Sequence, residues 1–484
     1  MSANVRITIS NIIAVYNPPE ELLQYCKQNL VFKNPEYTKK MQMGFWVGGT
    51  PRTITLYDRD ESANLLYLPI GCLDAVRSLT TGYLREFDDY RGLTPANIES
   101  NIVLRDYQEP CIPALEKYYN GVLLIPCGMG KTECALALAS HLKQKTLFIA
   151  HTKDLVNQAL ERAKSELKCT TSLITDGKVD TSGDIVFATV QTLCKKLKDI
   201  KQTEFGLVVC DEVHHLAANA QTVGMFRECL DYFASKYKLG LTATLHRADG
   251  LEICIPRMLG EVMYEIRQDG NDYVAIYEDE EIMRFPMDKF QVPAQVHFIE
   301  TNYSIVNEKT KSYRDVFDKN GMTISFSKLL TDIGNDEDRN IQIINLCNSL
   351  SGSTIVLSDR VEQLKYLSKY ITGCVEIDGS TPKKQREKAL EQIKSGEKKV
   401  LLASYKLAKE GLDCKILENI ILATPIKDEA IVVQCIGRIQ RPYGEKEVAN
   451  VYDLVDDVTT LSRFYKKRKS IYRKRGWLNG KEGL

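Results

Sequence analysis

Twice along this chain, short apolar runs rich in β-branched residues alternate with longer amphipathic stretches. Continuous apolar strands separated by helices pack as a parallel sheet covered on both faces. The first series has expected strands at Gly121–Ile125, Lys145–Ala150, Asp184–Ala188, Gly206–Cys210 and Tyr237–Thr242, with helices at Thr132–Leu142 and Asp154–Leu167. The second has strands at Thr354–Leu357, Val375–Asp378, Lys399–Ala403, Asn419–Ala423 and Val448–Leu454, with helices at Val361–Tyr370, Lys383–Lys394 and Glu429–Ile439. Between them Asp269–Phe290 is acidic, is followed by Pro293, and reads as irregular. The first hundred residues carry short β-rich runs (Val5–Ile12, Gly44–Val47, Thr53–Tyr57, Leu65–Leu68) and suggest a small α+β accessory domain.

The 484 residues are too many for one hydrophobic core. A hydrophobic share of 44% with 26% charged excludes a disordered or collagen-like polymer. Lys plus Arg equals Asp plus Glu at 64 each, so a nucleic-acid surface has to arise from local segregation of charge. No apolar run approaches the ~20 residues that span a bilayer, and the N-terminus lacks the basic-then-apolar form of a secretory signal, so a cytosolic chain without a membrane partner is expected. The 14 cysteines contain no C-x-x-C and sit mostly in apolar runs, where they act as small hydrophobes. The six histidines have no zinc spacing, and no structural metal is expected.

Pro126-Cys-Gly-Met-Gly-Lys-Thr132 lies between an expected strand and helix, where a phosphate-binding loop must sit. Gly128 and Gly130 let backbone N–H groups turn inward around phosphates, and the helix N-terminus adds positive field. Lys131 is the candidate for the β- and γ-phosphates of ATP, and Thr132 for Mg²⁺. The general pattern has glycine where Ile125 stands, and a functionless glycine turn is the competing reading. Two βαβ passes later, Gly206–Cys210 runs into Asp211-Glu212-Val-His-His215. Such a strand end can set Asp211 beside the metal and Glu212 where it orients or deprotonates an attacking water. Solvated acids at an ordinary strand end are the alternative.

With these two elements the chain resembles superfamily 2 helicases of the D-E-x-H type over roughly Leu104–Leu454. The resemblance implies two tandem RecA-like P-loop lobes behind the N-terminal domain. Expected bounds are 1–95 for the accessory domain, 96–285 for the ATP-binding lobe, and 286–484 for the second lobe with an insertion near 303–335 and a basic C-terminal helix. It implies that Arg105 and Gln108 in Leu104–Gln108 read the nucleotide base. It implies that His214, and Thr242 and Thr244 in Leu241-Thr-Ala-Thr244, couple hydrolysis to lobe movement. Gln434, Arg438 and Arg441 resemble the arginine-finger element; being three apart, the two arginines are expected on one face of one helix. Gly411 and Asp413 are implied to meet nucleotide.

Nucleic-acid contacts implied by the resemblance are Thr152, Lys153, Thr189 and Gln191 in the first lobe and Arg360, Ser404 and Lys406 in the second. Pro126-Cys-Gly and the Arg247-Ala-Asp249 segment are similar to the XPB-like and UvsW-like group, with Ala248 where that group carries an acid. The tail adds Arg463, Lys466, Lys467, Arg468, Lys469, Arg473, Lys474 and Arg475, interleaved with Phe464, Tyr465, Tyr472 and Trp477. It reads either as a phosphate-and-base surface or as a closing helix with a solvated face. The segment Tyr303–Lys328, with Lys309, Lys311, Arg314 and Phe317, reads as a thumb-like insertion. The expectation is an ATP- and Mg²⁺-dependent DNA helicase or translocase on single-stranded, forked or branched DNA in replication, recombination or repair. It is expected to be monomeric and to meet replication or recombination proteins. The alternatives are an RNA remodeller, a nucleotide-gated DNA-binding module and a restriction-complex motor subunit.

Overall fold

The computed structural model describes residues 4–216, 224–247, 249–270, 272–287, 290–306, 312–318, 323–411 and 414–478. They form two compact units, Met1–Arg267 with Val274–Arg284, and Gln268–Tyr273 with Phe285–Leu484.

The first unit holds two large sheets. The N-terminal one has five strands in the spatial order Asp58–Asp60, Leu65–Leu68, Ile13–Tyr16, Val5–Ile9, Arg85–Asp89, antiparallel except for its last pair. Its inward residues, Val5, Ile7, Ile9, Ile13 and Val15, belong to one continuous core with Val208, Cys210, Phe226 and Leu259 of the larger sheet's layer. Close contacts lock the seam. Gly71 lies so near the backbone of Pro256 and Arg257 that a Cβ would collide with it. Lys238 is fully buried and donates to Leu230 O (2.6 Å) and Asn11 O (3.4 Å).

The second sheet has nine strands, ordered Thr171–Ile174, Ile185–Thr189, Thr146–Ala150, Leu207–Asp211, Tyr237–Thr242, Asn120–Leu124, Val262–Asp269, Asp272–Tyr277, Glu280–Pro286. The first seven run parallel. Ile185–Thr189 and Leu207–Asp211 are buried at every position, as a sheet covered on both faces demands. Within Asp269–Phe290, expected to be irregular, Asp272–Tyr277 and Glu280–Pro286 are instead strands. Tyr273, Val274 and Ala275 are buried, and the acids that mask the pattern are exposed, Glu278 and Asp279 in the turn and Glu280 and Glu281 at the start of the next strand. Gly44–Val47, expected as strand, is turn and loop.

The second unit is built on a six-stranded, all-parallel sheet ordered Ala294–Glu300, Ala449–Val455, Leu417–Leu422, Ser353–Leu357, Val400–Ala403, Cys374–Ile377. Helices Lys383–Lys394 and Glu429–Ile439 lie where the sequence periodicity puts them. Two buried ion pairs close this unit. Arg339 meets Asp456 at 2.7 Å, and Arg468 grips Asp453 with two bonds of 2.8 Å while Tyr472 donates to the same carboxylate. Arg468 is therefore a core residue and leaves the expected basic surface. The tail aromatics also pack inward: Tyr472 and Trp477 are buried, Phe464 meets Phe326 and Tyr465 meets Phe298. The outer face of helix Thr459–Lys474 keeps Arg463, Lys466, Lys467, Arg473 and Lys474 exposed. In the insertion, Arg314 is tied to Asp332 and Asp336 and stacks on Tyr303, a structural use of that cation. Lys309 and Lys311 lie outside the described residues.

Candidate nucleotide and nucleic-acid site

In a parallel α/β sheet, ligands bind at the carboxyl ends of the strands. The strand Asn120–Leu124 leads there into the glycine loop, and helix Lys131–Leu142 starts at Lys131. Gly128 and Gly130 have φ of 82° and 84°, a region that favours glycine, and nothing lies within 4 Å of where a Gly128 Cβ would be. The loop is thus open on its outer side. Lys131 Nζ donates to Ile125 O at 3.3 Å. Gln108 is buried, and both ends of its amide are engaged: Nε2 donates to Met129 O (2.9 Å) and Oε1 accepts from Arg105 N (3.0 Å). A Gly130 Cβ would strike that amide. Arg105 is exposed and donates to the Tyr107 hydroxyl at 2.6 Å.

Leu207–Asp211 ends two positions across the sheet from the loop's strand, with Tyr237–Thr242 between them. Asp211 is buried, and its carboxyl is pushed up to about 7, mainly by desolvation and then by the Glu212 charge, with Lys131 opposing. Two carboxylates crowded together beside one lysine suit a divalent cation, which supplies the missing positive charge. Thr132 opens the same helix as Lys131, so a hydroxyl and the Asp211 carboxylate are the oxygen donors that would take Mg²⁺. Glu212 takes φ 52°, a left-handed conformation costly for a side chain bearing a Cβ and concentrated at functional sites.

The surroundings hold Glu212 there. Its N–H donates to Asp211 Oδ1 (3.0 Å), and its Oε2 lies 3.2 Å from His214 Nδ1. That same nitrogen lies 3.1 Å from Thr242 Oγ1, which donates to Thr244 O at 2.7 Å. Arg247 donates to the backbone carbonyl of His214 and pairs with Asp249 through two bonds of 2.9 and 2.6 Å. Glu212, His214, Thr242, Thr244, Arg247 and Asp249 thus form one connected set. Ala248 lies outside the described residues.

A further link escaped the sequence reading. The rings of His214 and His215 stand 4.3 Å apart, and those of His215 and His151 4.5 Å. His151 immediately precedes Thr152 and Lys153, and its carbonyl accepts from Gln191 Nε2 at 3.0 Å. The stack therefore runs from the carboxylate loop to two of the expected nucleic-acid loops. The adjacent pair His214-His215 was its only sequence signal. Thr152 and Thr189 follow or end their strands and use their hydroxyls to cap helices, accepting from Leu155 N and Thr192 N. Lys153 and Gln191 are exposed beside them.

In the second unit Gln434 is buried on helix Glu429–Ile439, and its Oε1 has no hydrogen-bond partner among the described residues. Arg438 occupies the last turn, but Arg441 lies beyond the helix end at Ile439. Between them Gln440 keeps the helical bond from its backbone N–H to Ile436 O (3.2 Å), and its side-chain amide donates to Val292 O (3.2 Å). Arg360 is not a bare loop cation: its guanidinium donates to Thr331 Oγ1 and Ser327 O. Ser404 caps Leu407 N at 3.3 Å, and Lys406 is exposed. Gly411 ends helix Tyr405–Gly411, and Asp413 lies outside the described residues.

Residues 101–247 match the family model "Type III restriction enzyme, res subunit", and residues 338–443 match "Helicase conserved C-terminal domain". The chain is 26% identical to "Probable helicase D10" of Escherichia phage T5 over 98% of its own length and 95% of that protein's. It is 30% identical to "Putative ATP-dependent RNA helicase L396" of Acanthamoeba polyphaga mimivirus, covering 75% of this chain and 65% of that one. It is 25% identical to "DNA 3'-5' translocase XPB2" of Sulfurisphaera tokodaii, covering 77% and 86%. Both family models fall on the two parallel-sheet units that carry the phosphate loop, the paired carboxylates and the late arginine helix, and so the chain belongs to the superfamily 2 helicases of XPB-like type, ATP-hydrolysing nucleic-acid helicases.

Proposed function

We propose that the helicase works on DNA, using ATP hydrolysis to unwind or branch-migrate forked or branched substrates during replication, recombination or repair. The observation that carries the reading is the connected set from Glu212 through His214 and Thr242 to Arg247 and Asp249. A pure nucleotide-gated binder has no need of a strained water-positioning acid tied to a second element. The XPB-like relative named as a DNA translocase supports DNA as substrate, whereas the mimivirus relative's name supports RNA as the second reading.

ATP phosphates bind the backbone of Gly128–Gly130 and Lys131, with the base near Arg105 and Gln108. Thr132 and Asp211 would hold Mg²⁺, which would neutralise phosphate charge when bound. Glu212 orients the attacking water and accepts its proton. Arg438 and Arg441, with Gln434, Gly411 and Asp413, serve the nucleotide from the second lobe, a contribution of about 10³–10⁵ in rate for such arginines. Thr152, Lys153, Thr189, Gln191, Arg360, Ser404 and Lys406 hold the strand by its phosphates.

The test is ATP turnover and unwinding across single strands, forks, Holliday junctions and RNA duplexes, with Glu212→Gln alongside. Forked or branched DNA is expected to stimulate turnover most, and Glu212→Gln to bind ATP without hydrolysing it. Stimulation by RNA duplex alone would overturn the DNA assignment, and normal turnover in Glu212→Gln would overturn the role of that acid.

A further inference from the structure

The strands Val31–Lys33 and Thr53–Thr55 pair in register, Val31 with Thr55 and Lys33 with Thr53, yet helix Pro35–Gln42 and a glycine-rich loop stand between them. The base of this excursion is closed. Buried Asn34 donates from its backbone to Arg52 O (2.9 Å) and from its side chain to Pro51 O (2.8 Å), and its Oδ1 caps the helix at Glu36 N. Lys40 Nζ ties the helix to Thr50 Oγ1 (2.9 Å) and Glu36 (2.7 Å). The loop's path is set by Gly44 at φ 68° and by Phe45 N donating to Lys40 O at 2.9 Å.

What this frame presents is unusual for a soluble surface. Within six residues, Met41 and Met43 are 56% exposed, Phe45 63% and Trp46 83%. A Cβ on Gly48 would occupy the space of the Trp46 indole, so the ring rests against a bare stretch of backbone with most of its surface toward solvent. Lys33, Lys39 and Arg52 are exposed in the same excursion, Arg52 donating to the Tyr37 hydroxyl at 3.0 Å, and the one acid between Lys33 and Arg52, Glu36, is bonded to Lys40. In a chain with no net charge, this is local segregation of positive charge onto an aromatic surface. Large exposed apolar groups mark interaction sites. Protein-binding surfaces are depleted in lysine, whereas single-stranded nucleic acid is held by aromatics that stack on bases and cations that meet phosphates.

We propose that Trp46 and Phe45 form a base-stacking platform for unpaired nucleotides, with Lys33, Lys39 and Arg52 meeting the flanking phosphates. This rests on the nucleic-acid reading but assigns a contact outside both helicase lobes. The same helix, with Lys33 and Lys39, lines a cleft of about 540 Å³ whose other wall is Asp249–Leu251.

The chain supplies its own probe. Its two tryptophans are Trp46 and Trp477, and Trp477 is 4% exposed, so a ligand-dependent change in indole emission reports Trp46. The full chain is titrated with a single-stranded thymidine oligomer of about 20 nucleotides, with an abasic oligomer of equal length, and with anionic lipid vesicles, while ATPase is followed in the same samples. Quenching by the base-bearing oligomer and little by the abasic one is expected. Phe45→Ala with Trp46→Ala is expected to weaken oligomer binding about tenfold while leaving unstimulated ATPase and melting temperature unchanged. Unaltered emission at oligomer concentrations that stimulate ATPase overturns the platform and leaves the helicase reading standing. Equal quenching by the abasic oligomer overturns stacking, and a blue shift with vesicles alone replaces it with a lipid contact. Neither binding nor stimulation by any nucleic acid overturns both readings.

Discussion

His214 Nδ1 lies 3.1 Å from Thr242 Oγ1, joining the turn that follows strand Leu207–Asp211 to the neighbouring strand Tyr237–Thr242. The same nitrogen faces Glu212, so the position of the proposed base and the conformation of the Thr242–Thr244 segment are not independent. Removing the hydroxyl with Thr242→Val keeps shape but removes the one bond to His214 and the two to the Thr244 backbone. Unstimulated ATPase is expected to fall by no more than about tenfold, the worth of one hydrogen bond, while unwinding per ATP falls further. Parallel ATPase and strand-displacement assays decide it; an equal loss in both would make Thr242 merely structural.

Gly130 is a sharper test of the phosphate loop. At φ 84° a side chain is strained, and its Cβ would strike the Gln108 amide that bonds Met129 O. Gly130→Ala is expected to weaken ATP binding by at least about tenfold while leaving nucleic-acid binding intact. Calorimetric titration with a non-hydrolysable ATP analogue measures the first, and fluorescence anisotropy with labelled oligonucleotide the second.

The parts of this protein that were legible in its sequence are those where one residue type has one physical use. Ile185–Thr189 and Leu207–Asp211, buried on both faces, read as strands because no polar position interrupts them. The strand Asp272–Tyr277 was missed because the exposed acids at 278–281, two in the turn and two opening the next strand, dominate the composition around a short buried core. Arg468 was misread for the opposite reason: a cation in a basic run looks solvated, and only the fold reveals that Asp453 waits fifteen positions before it. The histidine stack needed three-dimensional placement, since His151 lies on a different strand end from His214 and His215.

Arg468 shows why the basic tail has to be tested by neutralising its outer face and not by truncation. Breaking a buried pair leaves an uncompensated charge, at a cost of about 3–5 kcal/mol, so Arg468→Met is expected to lower stability strongly. Replacing Lys466, Lys467, Arg473 and Lys474 by Gln, all on the exposed face, is expected to leave stability within about 0.5 kcal/mol per site. If the face meets phosphates, that variant also binds DNA with a shallower dependence on salt. Denaturant melts and binding at several salt concentrations separate the two roles.

Lys238 gives a pH signature for the seam between the N-terminal sheet and the first lobe. Burial lowers its pKa from 10.5 to about 8, against the pull of Asp231 and with help from Arg91. Between those values the unfolded chain holds the proton and the folded chain does not, so stability rises with pH across that window. At about 1.4 kcal/mol per unit, and allowing for partial titration at each end, the gain from pH 8 to pH 10 is about 2 kcal/mol. Lys238→Met removes the titration and leaves Leu230 O and Asn11 O without their donor, so the variant is less stable at pH 8 and falls further behind the native chain at pH 10. Denaturant unfolding of both proteins at the two pH values measures it; a gap that stays constant or narrows would place the Lys238 ammonium in contact with water.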